Sequence, residues 1–263
     1  LGLQSLDDAA LTFLGRNHGA AEGRRAAETA ARLFPRLSVD LIYARPGQTP
    51  TAWAGELRAA VDLGAEHVSP YQLTIEAGTA FDRAVRRGLF TPPGDAAGAD
   101  LYDTTQAVLE AAGFEAYEVS NHASGAPARS RHNLVYWRGW DYVGVGPGAH
   151  GRITVDGVRT ATEAAGRPGD YIRRVADRGV SFATRETLTP VQAAEERLLT
   201  GLRIADGVGY AEIAALGLTP SHPTVRQMAD LGLLAEDADR LRATPAGRRV
   251  LDGLTTALAT AAA

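Results

Sequence analysis

The sequence predicts an α/β protein whose second half turns first strand-rich and then helical. Apolar runs with strand spacing alternate with amphipathic helical stretches over residues 1–112. A glycine- and aromatic-rich middle, 113–184, contains a hairpin signal, and 185–263 reads as helices with one short hairpin. Strand-helix alternation implies a parallel sheet for the first part, because parallel neighbours need a crossover connection.

Taken in order, Leu1–Ser5 is a short apolar strand handing over to LDDAALTFLGR, where Leu6, Ala10, Phe13 and Leu14 fall near helical spacing and aspartates occupy the first turn. A second helix, roughly Glu22–Leu33, leads to a strand over Leu37–Tyr43 bounded by Pro35 and Pro46. Alternation puts Ser38, Asp40 and Ile42 on one face and Val39 and Leu41 on the other. Thr51–Leu63 is an amphipathic helix with Trp53, Leu57, Ala60 and Val61 near one side. His67–Ile75 is the next strand, and Pro70 within it suits an edge or irregular position. A short helix near Thr79–Gly88, a longer one over Asp100–Ala112 ending at Gly113, and a strand over Glu115–Ser120 follow. Asp156-Gly157 is a two-residue hairpin signal between Arg152–Val155 and Val158–Thr160. After a helix near Asp170–Arg178, TRETLTP reads as a linker. Thr189 caps a helix with Pro190 in its first turn. Further helices, a hairpin of Leu233–Ala235 with Arg240–Arg242 across the EDAD turn, and a last helix from Pro245 give a winged-helix-like arrangement.

With 263 residues and 45% hydrophobic content the chain can bury a full core. No run approaches the roughly 18 apolar residues of a membrane span, and the N-terminus has no basic n-region or cleavage site, so the cytoplasm is expected. A net charge of −4 argues against nucleic-acid binding through a broad basic surface and leaves a local positive pocket open. Cysteine is absent, which removes disulfides, thiolate metal sites and cysteine nucleophiles from this chain. The strand at Leu1–Ser5 reads as already under way, so a preceding segment is expected.

Glu118–Gly151 concentrates function. It holds two of the three tryptophans, three of the six histidines and the run Gly144–Gly151, where bare backbone can approach a ligand. The bland alternatives are core tryptophans, turn glycines and a His132 satisfied by backbone groups. Asp40 is the sharpest residue of the first half: a carboxylate in an apolar strand needs a cation or hydroxyl donors. Ribose hydroxyls would serve, and so would an internal salt bridge to an arginine.

In order along the chain, GLQS, LGRNH, SVDLIYARPGQT, SPYQLTIEAGT, EVSNHA, HNLVYW, GVGPGAHG and EERLLTGLR resemble the C-terminal two thirds of HemW-type haem chaperones. These are relatives of the oxygen-independent coproporphyrinogen III oxidases in the radical S-adenosylmethionine superfamily. The resemblance implies the second part of a partial (β/α) barrel at 1–112, a β-rich extension at 113–184 and a small C-terminal domain at 185–263. It implies S-adenosylmethionine held by Gln4, Arg16, Asp40 and Thr74, with Arg16 at its carboxylate, Asp40 at its ribose and His150 at an adjoining position. The family's CxxxCxxC motif, which holds a four-iron four-sulfur cluster, belongs upstream of Leu1; without thiolates this chain alone is not expected to cleave S-adenosylmethionine. His132 is the first candidate haem ligand and His150 the second, with Tyr136 and Trp137 as porphyrin-packing rings. The function implied is haem binding and delivery to acceptor proteins. Two alternatives stand beside it: a coproporphyrinogen oxidase, which lacks HNLVYW, and a DNA-binding winged helix, supported only by Arg240, Arg242, Arg248 and Arg249.

Overall fold

The structure, a computed structural model, describes residues 1–262, which form two compact units, Leu1–Ser130 and the residues from Arg131 onward. The first unit runs β1 (Gly2–Gln4), α1 (Asp8–Phe13), α2 (Ala20–Leu33), β2 (Ser38–Tyr43), α3 (Pro50–Val61), β3 (His67–Gln72), α4 (Ala80–Arg86), α5 (Asp95–Ala111), β4 (Glu115–Glu118) and β5 (Asn121–Ala123). Its sheet order is β1-β2-β3-β5-β4.

The first three strands are parallel, as strand-helix alternation requires. The sheet as a whole is mixed, which corrects the expectation of a parallel one: β5 pairs antiparallel with both β3 and β4. The strand expected over Glu115–Ser120 ends early and reverses within two residues, too few for a helical crossover. Only His67 and Val68 of β3 pair with β5. Pro70 lies beyond them, where its missing N–H costs no bond on that side.

Local signals place the elements. Thr49 accepts a hydrogen bond from the Ala52 N–H and Pro50 opens α3. Trp53, Leu57 and Ala60 of that helix are fully buried against Val39, Leu41 and Tyr43 of β2, while Ser38, Asp40 and Ile42 are half-buried on the opposite face. Tyr43 stacks on Trp53 with ring centroids 5.3 Å apart, and the Trp53 indole N–H donates to Thr105 Oγ1 at 2.8 Å. Helices therefore cover one face of the sheet with apolar side chains, and the other face keeps a polar set.

The second unit comprises α6 (Arg131–Trp137), β6 (His150–Val155), β7 (Val158–Ala164), α7 (Pro168–Arg178), β8 (Phe182–Thr187), α8 (Pro190–Gly201), β9 (Val208–Gly209), α9 (Pro223–Asp230), β10 (Arg240–Leu241), α10 (Pro245–Arg249) and α11 (Leu251–Ala261). The β6–β7 hairpin turns at Asp156-Gly157 with φ of 51° and 77°, the left-handed pair that a two-residue turn needs. TRETLTP is not a linker: its first half belongs to β8, which pairs antiparallel with β7 and completes a three-stranded sheet. Thr184 and Glu186 alternate with Arg185 and Thr187 and give neither face an apolar set, so the pattern carries no strand signal. Thr189 and Gln192 form a reciprocal capping box at the start of α8. The wing expected at Leu233–Arg242 pairs through Leu234 and Ala243, and β10 pairs with β9, a strand too short to read from the sequence. The helix from Pro245 breaks at Val250 (φ −122°) into α10 and α11.

Candidate functional site

The polar face of the first unit's sheet is ordered by one chain of hydrogen bonds. The Ser130 N–H donates to the Tyr117 hydroxyl at 3.1 Å, and that hydroxyl is hydrogen-bonded to His67 Nε2, 2.8 Å away. His67 is buried, and burial lowers its pKa, opposed by the Asp40 carboxylate. The other ring nitrogen, Nδ1, is hydrogen-bonded to Ser38 Oγ at 2.8 Å, so the neutral ring meets one hydroxyl at each nitrogen. Beside this chain, Ser69 donates to Asn121 at 2.9 Å and the Asn121 amide donates to Glu118 at 2.6 Å.

Asp40 shares this face with Ser38 and stands in register between Gly2 of β1 and Ser69 of β3. It is half-buried, and among the described residues no arginine pairs with it, so the internal salt bridge is not what holds this carboxylate. Gln4 ends β1 with φ 66°, and Ala44 follows β2 with φ 60°. These left-handed backbones on residues other than glycine gather at the carboxyl ends of neighbouring parallel strands, where such folds bind ligands. A Cβ at Gly2 would lie 2.5 Å from Gln4 Nε2, so the glutamine amide folds back over the register neighbour of Asp40. Gln4 and Asp40 are thus brought together. Arg16, in the α1–α2 connection, and Thr74, two residues past β3, are exposed; Thr74 bonds only the Gln72 carbonyl, at 3.3 Å.

Just past β2, Arg45 forms a buried network that sequence reasoning missed. Its guanidinium pairs with Glu56 and donates to Ser5, side chains only 9% and 8% exposed for the ion pair, and Glu56 also accepts the Leu6 N–H at 2.7 Å. A cavity of about 570 Å³ opens beside it, lined by Asp7, Phe13, Arg24 and Gln48, and by none of Gln4, Arg16, Asp40 or Thr74. The available signal was a charged residue closing an apolar strand, the same one that drew attention to Asp40.

In the second unit HNLVYW forms α6. His132 is exposed and its Nε2 lies 3.1 Å from the Tyr136 hydroxyl one turn on, the rings edge to face at 4.9 Å. Tyr136 also meets Tyr142 at 4.6 Å. Trp137 turns elsewhere: the Arg203 guanidinium lies 4.7 Å from its ring centroid. His150 begins β6, exposed, opposite Glu163. The glycine run differs from expectation. A Cβ at Gly144 would come within 2.2 Å of the His150 carbonyl oxygen, so this glycine admits the chain's own backbone. Between α6 and that run, Trp140, Val143 and Val145 are 53%, 66% and 82% exposed, an apolar strip facing solvent. Among the described residues no group of three or more His, Cys, Asp or Glu could hold a metal ion.

A family model for the HemN C-terminal domain matches residues 188–250. The chain is 41% identical over 215 residues to radical S-adenosyl methionine domain-containing protein 1, mitochondrial, of Danio rerio, covering 80% of this chain and 48% of that protein. It is 37% identical to the haem chaperone HemW of Mycobacterium tuberculosis, covering 97% of this chain and 63% of that protein, and 33% identical to HemW of Escherichia coli, covering 97% and 66%. The chain is a homologue of the HemW-type radical S-adenosylmethionine proteins. It spans about half to two thirds of the length of these curated relatives. The solved structure of Escherichia coli coproporphyrinogen III oxidase (HemN), a radical SAM enzyme, matches with a TM-score of 0.73 at 18% identity, covering 98% of this chain and 63% of that one, which establishes a shared fold. No helix among the described residues is long and apolar enough to cross a membrane.

Proposed function

We propose that the intact protein is a cytoplasmic haem chaperone that binds haem and passes it to acceptor proteins. The observation that carries this reading is the similarity to HemW proteins over 97% of the chain. The exposed His132, with Tyr136 on the same helical face and the apolar Trp140–Val145 strip following, supports it: imidazole can ligate haem iron, and exposed apolar surface suits a porphyrin. In the same reading, residues 1–112 are the barrel part, 113–184 the β-rich extension and 185–263 the C-terminal domain.

The polar face of the first unit fits S-adenosylmethionine. Asp40, with no competing cation, would accept hydrogen bonds from the ribose hydroxyls, and the strained Gln4 would offer its amide beside them. Arg16 would neutralise the carboxylate and Thr74 would add a hydroxyl contact. A four-iron four-sulfur cluster, which supplies the electron for reductive cleavage in this superfamily, does not fit this chain, because it has no cysteine.

Titration of the intact protein with haem, followed by absorbance, is expected to show saturable binding. An anaerobic assay with S-adenosylmethionine, a reductant and coproporphyrinogen III is expected to yield no protoporphyrinogen. Steady decarboxylation there would overturn the chaperone reading in favour of the oxidase.

A further inference from the structure

We propose that an arginine-lined cleft in the second unit receives the propionate carboxylates of the haem; this rests on the chaperone reading and names the part of the ligand that the unit grips. The cleft encloses about 590 Å³ and is lined by four arginines, Arg138, Arg197, Arg240 and Arg242, against three carboxylates, Asp206, Glu212 and Asp237. It therefore carries one positive charge in excess on a chain whose net charge is −4.

The pairing inside the cleft leaves donors unused. Arg138 meets Asp206 through Nη2 at 2.9 Å, and Arg242 meets Asp237 through Nη2 at 3.0 Å. Arg240 pairs with no carboxylate among the described residues; its Nε and Nη2 donate to the carbonyl oxygens of Asp206 and Gly207 at 2.7 and 2.9 Å. A guanidinium has five N–H donors in a fixed fork, so each of these side chains is held in place by one edge with another edge available. Arg242 Nε is buried and bonded to nothing in the protein. The carbonyl anchors fix the Arg240 charge without neutralising it; at Glu212 burial pushes the carboxyl pKa up, but the hydrogen bonds from Gly209 and Arg197, with the Arg197 and Arg240 charges behind them, bring it below its ordinary value.

Trp140 settles which anion fits. It lines the cleft, is 53% exposed, and has the Arg138 guanidinium 5.4 Å from its ring centroid on one side. Val143 and Val145 continue the exposed apolar strip from it. A bare phosphate or citrate would use the arginines and leave this surface wet. A flat, apolar macrocycle with carboxylates along one edge uses both. Arg138 also follows HNLVYW directly in sequence, six positions after His132.

The test uses the intact protein and two probes, haem and haem dimethyl ester, whose propionates carry no charge. Haem is expected to bind the wild type at least about tenfold more tightly than the ester, the size of one or two charge-assisted hydrogen bonds. In R138Q and R242Q that preference is expected to shrink towards unity through weaker haem binding, with ester affinity little changed. Because the ester comparison is made on the wild type, it does not depend on a variant that fails to fold. Equal affinity for haem and ester would overturn the cleft while leaving the chaperone reading standing. Absence of haem binding to the wild type would remove both. Salt-dependent binding of a DNA duplex that is lost in the same variants would assign these arginines to nucleic acid instead.

Discussion

The two units solve the problem of interior polarity in opposite ways. In the first, the sheet's polar face is organised by hydrogen bonds without a cation, Ser130–Tyr117–His67–Ser38 and Ser69 to Asn121 to the buried Glu118 carboxylate, and a buried ion pair, Arg45–Glu56, is set apart beyond β2. In the second, polarity is carried by charged pairs nearer the surface: Arg138–Asp206, Arg152–Glu196, Arg159–Asp141, Arg197–Glu212 and Arg242–Asp237. A frame without a paired cation leaves the charge of Asp40 uncompensated and available to a ligand. A frame of paired charges can grip an anion by rearranging, and is weakened by salt.

Breaking the buried pair gives the largest effect. Arg45→Met leaves Glu56 charged in a site where its side chain is 8% exposed, and is expected to cost about 3–5 kcal/mol in denaturant unfolding. The corresponding Arg152→Met in the second unit, whose partner Glu196 is 32% exposed, is expected to cost clearly less. Equal losses would erase the contrast between the units.

Gly144→Ala sharpens the reading of the glycine run. The added methyl meets the His150 backbone carbonyl at 2.2 Å, so a loss of about 1–3 kcal/mol in unfolding is expected even without any ligand. A variant of unchanged stability would return this glycine to a ligand-binding role.

The neutral chain of the first unit predicts a pH response. His67 has a lowered folded pKa, so the unfolded chain binds its proton more readily. Its contribution to stability is complete above the unfolded value, roughly 6.5, and declines as pH falls below that towards the folded value. Unfolding free energy measured across this window should fall with acidification, and His67→Gln should flatten that part of the profile.

Smallest of all is an exposed control. Arg173 and Asp170 pair on α7 with side chains 65% and 40% exposed, and Arg173→Ala is expected to change stability by less than about 0.5 kcal/mol. A larger loss would mean that surface charge in the second unit is more strongly coupled than its exposure implies.

Much of the first unit was legible because its signals are local. Alternation in Ser38–Tyr43 assigned Asp40 to the polar face, Thr49-Pro50 marked a helix start, and spacing put Trp53, Leu57 and Ala60 together. What stayed hidden depends on partners distant in sequence. Glu56 and Ser5 meet Arg45 from 11 and 40 residues away, and Asp206 meets Arg138 across 68. Strand β8 escaped because its exposed faces bury nothing, and β5 because three residues, Asn121–Ala123, are too few to show a period. HNLVYW was found as a motif, but only the fold shows that His132 and Tyr136 share a helix face while Trp137 turns to Arg203.

The central claim is that Asp40 serves one ligand and His132 another. Calorimetry on the intact protein with its cluster reconstituted, titrating Asp40→Asn and His132→Ala each with S-adenosylmethionine and with haem, tests it most directly. Asp40→Asn is expected to lose about 1.5–3 kcal/mol of S-adenosylmethionine binding and to keep haem affinity, and His132→Ala to do the reverse. Asp40→Asn binding S-adenosylmethionine as tightly as wild type, or both variants losing both ligands alike, would contradict the account.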